Sequence, residues 1–331
     1  MMKRREFITL LGGAAAAWPP LAVQAQQPER VRRIGVLMNT TASDAEGKAR
    51  FAAFSQALQR SGWADGRNVR VDVRWIGGAD IERFRRQAAE LVALAADVIV
   101  TTTTPSTLGA QQTTRIVPIV FAMAVDPMGG GFVESLARPG GNITGFMQFE
   151  YTLSGKWLEL LKQIAPGVTR AAVFRDPTNP SGIGQFAVIQ AMAPPLGIEV
   201  IPINVRDAVE IERLIAAFAR GSNGGLVATG GQATTHRELI FKLALQHRLP
   251  AVYPYRYYVA EGGLVSYGPD LLGLFRQTAG YVDRILKGEN PADLPVQAPV
   301  KHELVINLKT ARAIGLDIPA TVLARADEVI E

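Results

Sequence analysis

Over most of its 331 residues this chain alternates short apolar runs with stretches in which apolar residues recur every three or four positions. Ile34-Gly35-Val36-Leu37-Met38 is apolar throughout and ends in Asn39-Thr40-Thr41-Ala42-Ser43, after which Phe51, Phe54 and Leu58 fall on one helical stripe. Val69, Val71, Val73 and Trp75 alternate with Arg70, Asp72 and Arg74, the period of a strand. Ile81, Phe84, Ala88, Leu91 and Val92 then return to the helical spacing. Val98-Ile99-Val100 runs into Thr101-Thr102-Thr103-Thr104-Pro105-Ser106, and a further helix precedes Pro118-Ile119-Val120-Phe121-Ala122. Apolar strands separated by helices pair in parallel through crossover connections and are covered on both faces. The pattern predicts an α/β fold built on parallel sheets.

Near residue 150 the alternation starts again. Trp157, Leu160, Leu161 and Ile164 define a helix; strands are predicted at 171–174, 199–203, 225–228, 250–253 and 264–267, with helices at 186–196, 211–218 and 239–245 between them. A chain of this length exceeds what one core usually supports, so two successive sets predict two similar lobes. A strong helix over 271–286, a proline-spaced extended stretch over 291–299 and a last strand over 302–307 follow, with a short helix over 309–314. Material this late in the chain is where it crosses back between the lobes.

The first twenty-five residues follow a different rule. Lys3-Arg4-Arg5, an apolar run from Phe7 to Trp18 broken by Pro19-Pro20, and the small residues of Val23-Gln24-Ala25 have the order of a cleaved export signal. The Arg pair before Glu6-Phe7-Ile8 predicts the twin-arginine route, and the run falls short of the ~20 apolar residues a spanning helix needs. Two of the five net positive charges belong to this leader, and the remaining basic residues are dispersed, which argues against nucleic acid as a partner. With no cysteine, the chain has no disulfide, thiol nucleophile, thiolate metal site or lipidated Cys; an unanchored, exported protein held together by its cores is expected.

In parallel sheets ligands sit at the carboxyl ends of the strands, where helix N-termini direct N–H groups at the bound molecule. Here those ends carry hydroxyls, amides and glycines: Asn39 to Ser43, Thr101 to Ser106, Asp126-Pro127 with Gly129-Gly130-Gly131, Asp176 to Gly182, and Thr229 to Thr235. Any one of these loops is explained as well by helix capping as by ligand binding; the same chemistry at five strand ends favours a shared cleft. Tyr253-Pro254-Tyr255-Arg256-Tyr257-Tyr258, in a chain only 7% aromatic, suits either a stacking surface with a cation at a cleft rim or an aromatic segment packed between lobes. His236, His247 and His302 lack metal-ligand spacing. Gly182-Ile183-Gly184-Gln185-Phe186-Ala187 matches a dinucleotide pattern but begins too far after its strand, with Pro177 and Pro180 between. No catalytic constellation is found, and neither a cofactor nor a metal is expected.

Several longer runs carry a family likeness. Arg33 to Leu37, Pro118 to Phe121 with Asp126-Pro127, and Leu136-Ala137-Arg138-Pro139-Gly140-Gly141-Asn142-Ile143-Thr144-Gly145 are among them. Others are Ser154 to Lys162, Glu261 to Gly268, Glu303 to Ala311 and Ala324 to Glu328. Together they resemble the ABC transporter substrate-binding protein family that includes tryptophan-binding members. The resemblance implies a type I periplasmic binding protein: two Rossmann-like lobes with parallel sheets joined by three crossovers. One lobe would comprise 31–147 plus about 268–296, the other 148–267 plus about 297–331. It further implies a periplasmic binder, not an enzyme, that closes over a small carboxylate-bearing ligand, an amino acid or aromatic acid. Such a binder hands its ligand to an inner-membrane permease driven by a cytoplasmic ATPase. Rival readings are a sensing module for a membrane receptor and a periplasmic α/β enzyme.

By the family's pattern the ligand residues of the first lobe are Asn39, Thr40, Ser43, Thr103, Thr104, Ser106, Ala124 and Asp126. Those of the second are Asp176, Asn179, Ser181, Gly231 and Gln232, with Tyr253, Tyr255 and Arg256 near a crossover. Many relatives have Asn where Asp176 stands, so this chain's charge preference can differ from theirs.

Overall fold

The computed structural model describes residues 30–175, 180–204, 207–229 and 232–331. The first sheet uses β1 (Arg32–Met38), β2 (Val69–Trp75), β3 (Val98–Thr101), β4 (Ile119–Ala124) and β5 (Ile143–Met147) in the order β2-β1-β3-β4-β5, every pairing parallel. Helices α1 (Ala45–Arg60), α2 (Ile81–Ala93) and α3 (Thr104–Gln111) connect its strands. After β5 the chain passes through α4 (Thr152–Ile164) into a second sheet. That sheet contains β6 (Arg170–Arg175), β7 (Glu199–Asn204), β8 (Gly224–Ala228), β9 (Ala251–Tyr253), β10 (Val265–Pro269), β11 (His302–Asn307) and β12 (Glu328–Ile330). Their order is β12-β11-β10-β9-β8-β6-β7. The remaining helices are α5 (Pro180–Leu196), α6 (Ala208–Phe218), α7 (Gln232–Thr235), α8 (Arg237–Gln246), α9 (Arg256–Ala260), α10 (Leu271–Leu286), α11 (Leu308–Ile314) and α12 (Ala320–Leu323).

Each central strand is apolar because it is covered on both sides. Val98, Ile99 and Val100 in the first sheet and Ala171 to Phe174 in the second are all fully buried. Helix starts are set by aspartates at non-helical backbone angles: Asp44 accepts from the Gly47 N–H at 2.7 Å, Asp80 from Arg83 at 3.0 Å and Asp270 from Gly273 at 2.8 Å. Trp157 anchors the second lobe. Its ring is completely buried, meets Phe149 edge-on at 5.5 Å and donates its indole N–H to the Tyr267 carbonyl at 2.8 Å.

Three passages link the lobes. The first follows β5. The second follows β10, whose successor α10 returns to pack along α1, with the Trp63 indole N–H donating to Asp283 at 2.8 Å. The third leads through 287–301, where Gln297 pairs with Phe146 and Met147, and re-enters the second sheet at His302 opposite Pro269. Because the chain re-enters from that end, β11 runs antiparallel to β10 and β12 follows it, so the second sheet is mostly rather than wholly parallel. β12 extends the sheet beyond Asn307, where the sequence placed the last strand; three residues are too few to show a period. The dinucleotide-like glycines Gly182 and Gly184 lie inside α5. Among the described residues no helix is long and apolar enough to cross a membrane.

Candidate functional site

The carboxyl ends of the two sheets face a cavity of about 470 Å³, within the range of small-molecule sites. From the first lobe its wall is made by Asn39 to Thr41 after β1, Asp44 and Arg50 of the α1 start, Ile76 to Ala79 after β2, Thr103 to Pro105 at the α3 start, and Met123 and Val125 flanking the end of β4. From the second lobe come Gln185 of α5, Thr235, Arg237 at the α8 start, and Tyr255 and Tyr257 around the α9 start, with Gln148 contributed by the first passage.

Local geometry explains these placements. Gly77 and Gly78 both have positive φ (71° and 79°), and this turn lets the Gly78 N–H reach the Asn39 carbonyl at 2.9 Å, holding the loops after β1 and β2 together. The β3–α3 turn is tied by its own hydroxyls. Ser106 Oγ accepts from the Thr102 and Thr103 N–H groups at 3.0 and 2.9 Å. Thr104 Oγ1 accepts from the Val125 N–H at 3.0 Å, and Thr102 Oγ1 accepts from the Asn39 N–H at 3.1 Å. These hydroxyls fix the wall that the cavity sees.

The tyrosine segment divides by position. Tyr253 and Tyr258 are fully buried, stacked at 5.3 Å behind the cavity wall, while Tyr255 and Tyr257 stack at 5.6 Å with an 11° angle between rings and line the cavity. One pair therefore faces the cavity and the other packs into the core of the second lobe. Tyr255 shares a short hydrogen bond with the Gln148 amide, linking the second lobe to the first passage. Burial is the main reason its phenol is held well above the usual tyrosine range. Gly268 of β10 makes this arrangement possible: a Cβ there would lie 1.8 Å from the Pro254 carbonyl oxygen.

Among the described residues two guanidinium groups reach the cavity. Arg50 is 3% exposed, donates from Nε to Glu46 at 2.9 Å and lies over the Tyr257 ring at 5.2 Å. Burial alone would lower its pKa, but Tyr257 and Glu46 reverse that and hold it above the ordinary value. Arg237 donates to Glu261 through Nε at 2.5 Å and Nη2 at 3.2 Å, and crosses the cleft to Asp44 at 3.2 Å. Burial opposes its charge as well, and Glu261 with Tyr257 and Asp44 more than offsets it.

The residues expected from sequence fall unevenly on this geometry. Asn39, Thr40, Thr103, Thr104 and Tyr255 line the cavity. Ser43 pairs with Thr41 at the surface, Ser106 is buried in its capping role, and Ala124 is buried between the lining residues Met123 and Val125. Asp126, at φ 48°, closes a turn by accepting from the Gly129 N–H at 2.8 Å, and Tyr253 is core. Arg256, the expected rim cation, instead forks onto Glu328 of β12 through two bonds of 2.7 Å. Asp176, Asn179 and Gly231 lie outside the described residues, as do the side chains of Ser181 and Gln232. Sequence reasoning singled out the tyrosine segment that supplies Tyr257 but missed Arg50, Arg237, Asp44, Gln148 and Gln185. It also missed Gly77-Gly78, although a glycine pair directly after a strand was a usable signal.

A family model described as ABC transporter substrate binding protein matches residues 36–330. The chain is similar to the tyrosine-binding protein of Clostridioides difficile (strain R20291), with 25% identity over 263 residues, 80% of this chain and 75% of that one. A crystal structure of a conserved domain protein from Vibrio cholerae O1 biovar El Tor superposes with a TM-score of 0.84 at 26% identity, over 91% of this chain and 100% of that one. An ABC domain from Streptococcus pneumoniae in complex with L-Trp superposes with a TM-score of 0.81 at 25% identity, over 90% and 99% of the two chains.

Proposed function

The chain belongs to the ABC transporter substrate-binding protein family, and from that premise we propose that it binds an aromatic amino acid or aromatic acid between its lobes and delivers it to a membrane permease. The observation that carries this reading is the cavity shared by the two lobes, in which a stacked tyrosine pair and the aliphatic Ile76, Met123 and Val125 stand beside Arg50 and Arg237. An apolar ring and a carboxylate on one small molecule match those two kinds of wall. The tyrosine-binding and L-Trp-bound relatives support the same class of ligand. Closure over such a ligand desolvates it, and the ligand's differential affinity for the closed form drives the change. The reading is binding without catalysis, in a protein exported by its leader to the periplasm, where a cytoplasmic ATPase powers uptake through the permease.

Thermal shift across the twenty amino acids and a set of aromatic carboxylic acids tests the ligand class. Tyrosine, tryptophan or a related aromatic acid is expected to raise the melting temperature in proportion to its saturation. Stabilisation by none of these acids, or only by amino acids without an aromatic ring, overturns the proposal. Co-purification of an intact permease with the ligand-loaded protein tests the partner.

A further inference from the structure

We infer that Arg50 is the carboxylate anchor of the cavity and that Arg237 is not. This rests on the ligand class proposed above and assigns its acidic group to one side chain. Both arginines line the same cavity and lie over the same tyrosine ring, at 5.2 Å for Arg50 and 5.7 Å for Arg237, so proximity does not separate them. Their hydrogen bonding does. A guanidinium has five N–H donors arranged as forks that match a carboxylate. Arg237 has committed Nε and Nη2 to Glu261 and Nη2 again to Asp44. Arg50 has committed only Nε, to Glu46, and among the described residues its Nη1 and Nη2 have no protein partner although the side chain is 97% removed from solvent.

A guanidinium this deeply buried, whose terminal nitrogens have no protein partner and open only onto the cavity it lines, offers its remaining donors to whatever fills that cavity. The free Nη1–Nη2 edge offers two parallel N–H groups, the geometry that binds one carboxylate in bidentate fashion. Glu46 and Tyr257 supply what keeps the group in place when the cavity is empty: a fixed hydrogen bond at Nε and an aromatic face beneath the guanidinium. The donor-only fork makes a specific demand on the ligand. A carboxylate supplies an acceptor to each N–H of the fork, whereas a neutral amide of the same shape would present an N–H₂ group to a fork that has only donors.

Isothermal titration on the purified protein tests the assignment, using L-tyrosine against L-tyrosinamide and 4-hydroxyphenylacetate against its amide. Each acid is expected to bind on the order of 30-fold tighter than its amide, and the paired variant Arg50→Gln with Glu46→Gln, which leaves no orphaned carboxylate, is expected to abolish that preference. Acid and amide binding alike, or a variant that keeps the preference, overturns the assignment and leaves the ligand class standing. Failure of every acid and amide to bind the unmodified protein overturns the ligand class and the assignment together. A crystal structure of the unmodified protein with a bound acid tests the same point without any variant. A carboxylate within about 3 Å of Nη1 and Nη2 supports the assignment, and one held elsewhere refutes it.

Discussion

Asp44→Asn separates the ion pair that crosses the cleft from everything else Asp44 does. Asparagine caps a helix as well as aspartate, so α1 should keep its start, and Arg237 keeps Glu261, so no cation is orphaned. At 3.2 Å, with both side chains 14% exposed, the gross attraction is about 5 kcal/mol at an effective dielectric of 20. The amide oxygen stays with the Gly47 cap, so the bond to Arg237 is lost along with the charge, and solvent at the edge of the pair reduces the net loss to about 1–2 kcal/mol. That corresponds to a roughly 5- to 30-fold fall in the ratio of closed to open protein before ligand arrives. Small-angle scattering of the unliganded protein should show a larger radius of gyration for the variant. Kd should rise by up to about tenfold for a ligand with an amino group and for one without, since the effect is on closure. A double-mutant cycle with Arg237→Gln isolates the pair. Unchanged scattering and unchanged Kd refute the idea that this pair holds the lobes together; a loss confined to amine-bearing ligands assigns Asp44 to the ligand instead.

Other expectations concern stability and export. Trp157→Phe removes the indole donor to Tyr267 and opens a void in the second lobe, and urea unfolding should show a loss of about 2–4 kcal/mol. Gly268→Ala forces the Pro254 carbonyl away from β10, costing about 3 kcal/mol and weakening ligand binding through the displaced Tyr255; unaltered affinity and melting would refute the role given to that contact. Burial lowers the pKa of His302 below 6.5, so the folded state favours its neutral form. Its contribution is present above pH 6.5 and is lost as pH falls below it, and a melting series from pH 7.5 to 5 should fall less steeply for His302→Gln. Arg4→Lys combined with Arg5→Lys should strand the protein in the cytoplasm, whereas normal fractionation with the periplasm would assign export to the general route.

How much of this could be read from sequence depended on whether the signal was periodic. Val98 to Val100 and Ala171 to Phe174 announce buried parallel strands because every residue must be apolar to be covered twice. β12 and the reversal of β11 carry no such mark, since direction is set by which end of the sheet the chain re-enters. The cleft was located at the strand ends, but its cations were not. Glu46 and Arg50, four residues apart, look in sequence like a solvent-facing helical pair, and only packing against Tyr257 turns them inward. Arg256, the cation that sequence singled out among the tyrosines, is taken by Glu328, seventy-two residues away. The hydroxyl-rich loops illustrate the remaining ambiguity. Ser106 is consumed by capping while Thr103, three residues earlier, faces the cavity, and no local rule separates them.

The packing of α10 along α1, with Trp63 bonded to Asp283, has a consequence for how the protein is made. The first sheet leaves the ribosome complete by Met147, yet one of its covering helices is encoded after nearly all of the second lobe. The second sheet in turn waits for β11 and β12, the latter ending one residue before the last. The first lobe cannot finish until most of the second has been made, so it does not fold as a completed unit before the second is begun. Until residue 286 has emerged, the face of α1 that α10 covers stays bare.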